Sequence, residues 1–322
     1  MSVKSVTGSR VIHRKILLAV SLIAVLLVAS FVAYTWLLAD KDYLHVKSEN
    51  ELRKAVNNVK IGAPIVIILD RDISLTEGAL VIPRGIDVTL SSNSELASDS
   101  GVEFFKLIGA SGSEVLAFEG TNMGDGGVLR IDGIIVTHVN GDKGSGVGVG
   151  SGCTFIMYNG EISGNIGDLY TSGFGVCNFG TFELHGGEIS GNTAHESGGG
   201  VCNYAVFKMF GGKISNNKAL NGGGVHNTGS FEMTDGVISG NVAVSRDSPD
   251  GSWFGGEGGG VYNGRSFNML GGEIFGNTAR RGGGVCVDFG FSIEVSFSMS
   301  GGKVSGNTAD VGNDLYEVPR LC

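Results

Sequence analysis

Two residue types recur at spacings that could support chemistry in this chain of 322 residues: carboxylates and thiols. Glu161 and Glu188 each precede an isoleucine at the same place in consecutive copies of a repeat. Glycoside hydrolysis needs two carboxyl groups about 5–9.5 Å apart, and neighbouring strands about 4.8 Å apart would bring such a pair within reach. The column continues, however, as Lys213, Val237, Glu273 and Lys303. The column after the repeated phenylalanine reads Ile156, Glu183, Lys208, Glu232, Asn268 and Ser298. Mixed signs of this kind describe a neutralised ladder on a solvated face, where each pair contributes little. No catalytic residue is assigned. The second column is Cys177, Cys202, His226, Tyr262 and Cys286. Three coils would spread its first three members over about 9.6 Å, whereas zinc ligands converge to about 2.0–2.3 Å from one ion. Exposed or redox-paired thiols are expected instead, and no metal or cofactor. The Gly-rich run Gly144–Gly152 lacks the Lys-Ser/Thr of a phosphate cradle and opens no helix. His185-Gly186 has no catalytic partner and reads as a corner residue, and Arg130-Ile-Asp132 as an isolated match.

A third group could bind rather than react. Val242–Glu257 places 16 residues between Asn241 and Gly258, where Asn277 to Gly282 leaves 4. Val287–Val295 stretches the usual 6-residue step from Val to Phe to 12. The first insertion carries Trp253 and Phe254 with Arg246, Asp247 and Asp250; the second carries Phe289 and Phe291. Exposed aromatic rings stack on sugars or anchor a protein contact, and function concentrates on loops held by rigid scaffolds. These seven residues are the ligand-binding candidates. The competing expectation is that Trp253 and Phe254 fold back to pack their own loop.

The elements that must position these side chains follow from the repeat. The phrase Phe-x-Met/Leu-x-x-Gly-x-Ile/Val-x-x-Asn occurs six times, over Phe155–Asn165, Phe182–Asn192, Phe207–Asn217, Phe231–Asn241, Phe267–Asn277 and Phe297–Asn307. Gly-Val-x-Asn follows at Val176, Val201, Val225 and Val261, and in altered form at Val285. Residues two apart in a strand share a face, so Phe and Met point inward together. The shortest period, Phe207 to Phe231, is 24 residues, too short for a propeller blade of about 40–45. Fixed strands with one elastic corner are the mark of a solenoid. A parallel β-helix of three strands per coil is predicted, with Phe, Ile and Val strands on its sides and glycines at the corners. The asparagine that ends each phrase is predicted to form a stacked ladder bonding buried backbone groups.

Residues 1–15 hold Lys4, Arg10, Arg14 and Lys15 and no acid, and Ile16–Leu38 carries no charge. That run is long enough to cross a bilayer, and the positive-inside rule places its N-terminus in the cytoplasm. Residues 16–38 are therefore expected as a retained membrane helix rather than a cleaved signal, with everything after Asp40 extracytoplasmic. Residues 40–60 form a linker and a capping helix: Ser48 and Glu51 make a capping box, and Leu52, Ala55, Val56 and Val59 share one face. Residues 61–322 form the β-helix, beginning with less regular strand-like runs between Pro64 and Val139. The chain carries −9, and residues 40–322 alone carry −13. That sign argues against nucleic acid or an anionic membrane surface as partner.

Ser48–Val59 followed by Pro64-Ile-Val-Ile-Ile-Leu-Asp-Arg-Asp-Ile-Ser-Leu resembles the N-terminal cap and first coil of the pectate-lyase-like right-handed parallel β-helix superfamily. Gly-Gly-Gly-Val-x-Asn and Gly-Gly-x-Ile-Ser-x-Asn-x-Ala are similar to repeats of adhesin-like surface proteins and of polymorphic outer-membrane proteins. The likeness covers residues 44–316. It implies the all-β fold and a cell-surface setting, and it spans lyases, hydrolases and non-enzymatic adhesins. Adhesin-like binding of a glycan or a cell-surface protein is the leading expectation. A carbohydrate-active lyase or hydrolase and a structural surface rod are the alternatives.

Overall fold

The computed structural model describes residues 43–118, 126–167, 174–247, 253–289 and 294–318, with the backbone alone at Asp247 and Trp253. The basic tail expected over 1–15 and the membrane span expected over 16–38 lie outside these residues. Among the described residues no helix is long and apolar enough to cross a membrane.

From Tyr43 onward the chain winds into a parallel β-solenoid of about nine turns, matching a right-handed β-helix. Phe182, Phe207, Phe231 and Phe267 are at most 1 % exposed and line one inner wall. Their registers are direct, Phe182 against Phe207 and Phe207 against Phe231. Ring centroids step by 4.9, 4.6 and 4.5 Å in near-parallel stacks, each pair worth about 0.5–1.5 kcal/mol beyond the area it buries. Leu184, Met209, Met233 and Met269 continue inward beside them. The alternation read from the sequence therefore sets the core.

The assignment of strands to sides is corrected. Phe and Ile strands belong to one 17-stranded sheet, because Val128–His138 and Thr154–Ser163 run unbroken through both positions. Val strands make a nine-stranded sheet. The third side is a short sheet of Lys218–Ala219, Val242–Ala243, Thr278–Arg281 and Thr308–Val311. Its inward residue is the small Ala219, Ala243 or Ala279, too slight an apolar signal to stand out between polar neighbours.

The asparagine ladder forms as predicted. Asn165, Asn192, Asn217, Asn241 and Asn277 are fully buried. Each donates from Nδ2 to Oδ1 of the next, at 2.9–3.0 Å. A second ladder, Asn178, Asn203, Asn227 and Asn263, runs inside the Val sheet at 2.7–2.8 Å. It stops where Val287 replaces asparagine, at the start of the second insertion.

Helix α1, Glu49–Asn57, covers the first coil, burying Leu52, Ala55 and Val56, with Val59 packed partly against the same core. Ser48 Oγ accepts from Glu51 N at 3.3 Å. Two elements escaped the sequence reading. Helix α2, Ser94–Asp99, is capped by Asn93. The Gly-rich run Gly144–Gly152, to which the sequence reading assigns no element, contains a strand, Gly144–Val149, in the Val sheet. Its glycines hide the strand pattern because the neighbouring coil fills their space: a Cβ on Gly148 would lie 2.5 Å from Glu114 Oε1.

Candidate functional site

The first insertion is a two-stranded hairpin. Ser245–Asp247 pairs antiparallel with Trp253–Gly255, Arg246 opposite Phe254 and Asp247 opposite Trp253. It leaves the solenoid between the Ala and Val sheets and is tied down at its base. Val244 N donates to Ala219 O and Gly256 N to Leu220 O, both at 2.8 Å, and Leu220 is 2 % exposed. Arg246 reaches two coils back, its Nη1 to His195 Nε2 and its Nη2 to His195 O, both at 3.1 Å. A guanidinium can only donate, so His195 Nε2 accepts. Directly opposed residues share a face of a hairpin, and Phe254 is 64 % exposed. The loop is thus docked through its base and Arg246 while Phe254 faces solvent.

Not every predicted member joins this patch. Asp250 and Phe291 lie outside the described residues, and for Asp247 and Trp253 only the backbone positions are described. Phe289 is partly buried against the core. It follows Val285–Asp288 at the opposite end of the Val strand from the hairpin, so the second insertion occupies a different corner. The two insertions lie on adjacent coils but leave from opposite ends of the Val strand, so Phe289 is not beside Phe254. The structure adds His195, which no spacing in the sequence singled out.

Outward columns carry further aromatic residues that the sequence reading passed over. Tyr158 lies tilted against His185 at 5.1 Å, His185 stacks on Phe210 at 4.7 Å, and Phe179 stacks on Tyr204 at 4.6 Å. All four Phe and Tyr side chains are more than a third exposed. Their mutual stacking occupies the ring faces between coils and leaves edges and terminal faces to a ligand. His185, read as a corner residue, is the middle ring of the first stack. Phe275 stands where other coils have serine, over a shallow cavity of about 340 Å³ lined with Glu273, Lys303 and Ser305.

The reactive columns resolve differently. Glu161 and Glu188 are in register on adjacent strands. Glu188 is ion-paired to Lys213 at 3.0 Å and accepts from Ser215 Oγ. Burial acts to raise its carboxyl pKa, but the Ser215 and Lys213 contacts outweigh it and hold the group below the ordinary range. Arg130 pairs with Asp87, and burial raises Asp132.

The cysteines of this column are buried, which corrects the expectation of exposed thiols, and they are not paired. Cys177 and Cys202 are in register and free, at 8 % and 0 % exposed. The Gly-rich corner Gly198–Gly200 curls over Cys202, so close that a Cβ on Gly198 would lie 2.7 Å from Cys202 Cα. Burial pushes the Cys202 thiol up to about 11. Among the described residues no group of three or more His, Cys, Asp or Glu side chains is placed to hold a metal.

Comparison with protein-family models, with curated proteins and with solved structures finds no match to this chain. What stands is a class, the parallel β-solenoid.

Proposed function

We propose that this chain is a membrane-anchored, extracytoplasmic β-helix protein with adhesin-like binding of a surface glycan or a cell-surface protein. The observation that carries the proposal is Phe254, 64 % exposed and opposite Arg246 on a hairpin that Arg246 ties to His195 of the solenoid wall. An apolar ring flanked by donors is a surface that sugars and protein side chains both recognise. The resemblance to pectate-lyase-like and adhesin-like repeats supports the same setting, and the uncharged run at 16–38 supports the anchor. A lyase or hydrolase reading has less support, since Glu188 of the one adjacent carboxylate pair is engaged by Lys213 and Ser215. A purely structural rod would leave the exposed hairpin without a role.

The test is a glycan array and a cell-binding assay on the full chain, with product analysis of any bound polysaccharide. Replacing Trp253 and Phe254 with alanine should abolish binding and leave the melting temperature nearly unchanged. Retained binding, or loss of binding together with a large drop in stability, removes the hairpin as the site. Shortened polysaccharide products would favour the enzymatic alternative.

A further inference from the structure

The two ends of the solenoid are built differently. At the first coil, α1 lays Leu52, Ala55 and Val56 over the interior, each at most 4 % exposed. At the last coil no described residue plays that part. Met299 and Leu315 are inward-column residues and are 51 % and 43 % exposed, while Met269 and Val285, one coil earlier, are fully buried. Phe297 and Val304 are only partly covered. The outermost strands, Ser296–Met299, Lys303–Val304, Thr308–Val311 and Leu315–Val318, each have a strand partner on one side only among the described residues.

The repeat pattern itself changes at this end. Where earlier coils have Gly-Gly-Gly, the last has Gly312-Asn313-Asp314. Asp314 Oδ1 accepts from Asn307 N at 3.1 Å and from Asn307 Nδ2 at 3.0 Å, taking the place of the next asparagine in the ladder. Asn313 Oδ1 accepts from Ala309 N at 2.8 Å. A further coil of the same repeat would bring its own asparagine to the position that Asp314 fills.

We propose that this end is a self-association surface on which two copies meet end to end about a two-fold axis. What it lacks is a ring of strand edges around an apolar centre of the same cross-section. A second last coil offers that; the first coil does not, because α1 lies over its apolar centre and leaves only the edge of Tyr43–Val46 without a second strand partner among the described residues. A two-fold sets opposed strands antiparallel, which backbone pairing allows. Because the other end of each copy is covered, the assembly closes as a dimer instead of growing into a fibre. Lys303 and Asp310 on the outermost strands discourage indiscriminate strand pairing.

The test uses the full-length chain in detergent solution, with mass photometry over a concentration series and hydrogen exchange at low and high concentration. The expected result is a dimer that slows exchange over residues 294–318. It should be lost in the double variant Met299→Lys, Leu315→Lys and kept in the variant with Trp253→Ala and Phe254→Ala. Both lysines replace exposed side chains, so circular dichroism should be unchanged. If the lysine variant unfolds, the exchange data on the unaltered chain decide alone. A monomer at every concentration, or a dimer whose exchange over 294–318 ignores concentration, overturns the proposal. Neither result bears on binding at the hairpin.

Discussion

Asn217 uses every hydrogen-bonding position of its amide. Nδ2 donates to Asn241 Oδ1 at 3.0 Å and to Ile189 O at 2.9 Å, while Oδ1 accepts from Asn192 N and Nδ2, both at 3.0 Å. The six amides run head to tail. The oxygen end meets His138, whose Nδ1 lies 2.7 Å from Asn165 Oδ1, and the N–H end meets the Asp314 carboxylate. A row of aligned dipoles closed by an anion at its positive end is the side-chain counterpart of a capped helix. Asn217→Ala orphans groups on two coils, and each buried unmet group costs about 1–3 kcal/mol. Urea melts should therefore show a loss of more than about 3 kcal/mol, and a smaller one for Asp314→Ala, which strips partners only from the partly solvated last coil. Equal losses would mean that the ladder does not act as a chain. The thiols give a second expectation at this scale. Cys153, Cys177, Cys202 and Cys286 are buried, and burial raises all four above the ordinary thiol range. Alkylation at about pH 8, read by peptide mass spectrometry, should leave these four unmodified until denaturant is added; rapid labelling of Cys177 would contradict the packing over that column.

At the scale of elements, one carboxylate adds a polar tie to the apolar packing that holds α1. Glu49 accepts from Thr76 N at 2.8 Å and Thr76 Oγ1 at 2.7 Å, and from Arg53 Nη2 at 2.8 Å. Burial acts to raise its pKa, but the Thr76 and Arg53 bonds outweigh it and bring the group to about 2 from 4.5. The folded value is depressed, so its stabilisation is present above the unfolded pKa and is lost as pH falls from about 4.5 toward 2. Thermal melts should show wild type above Glu49→Gln at neutral pH, with the gap closing through that window. Burial-raised Glu114 and Asp132 work in the opposite sense, gaining stability as they protonate, so the comparison must be made against the Gln variant at each pH. The cap was legible because Ser48, Glu51 and the Leu52–Ala55–Val56 face are local signals. So were the Phe and Val strands, whose inward residues are large. The Ala sheet was not, because Ala219 and Ala243 bury too little to mark a strand. Nor was the strand Gly144–Val149, where Glu114 of another coil fills the space of a side chain. The hairpin's existence could be read from the 16-residue gap, whereas its anchorage on His195 depends on coils stacking in a particular register.

At the scale of the whole molecule, a solenoid couples each coil mainly to its neighbours, the two-coil reach of Arg246 to His195 apart, so stability is close to a sum of local terms and unfolding need not be all-or-none. The ends then matter most. The interior of the first coil is covered by α1, while the last leaves Met299 and Leu315 half in solvent and its strands with a partner on one side only among the described residues. Opening should begin at residues 294–318 and move toward the N-terminal side, with coils from Phe155 to Phe231 exchanging last. A break inside that stretch should act differently from one at the end. Phe207 is fully buried, with Phe182 at 4.9 Å on one side and Phe231 at 4.6 Å on the other. Phe207→Asp puts an unpaired charge into this column and removes two stacked contacts. The nearest-neighbour picture predicts that the variant keeps slow amide exchange over residues 43–118, where the capped coils share no contact with position 207, and loses it from about Thr181 onward. Exchange that becomes fast everywhere at once would show that the nine-turn stack folds as a single cooperative unit; exchange that stays slow through Ser230–Met233 would show that the Phe column does not hold the coils together.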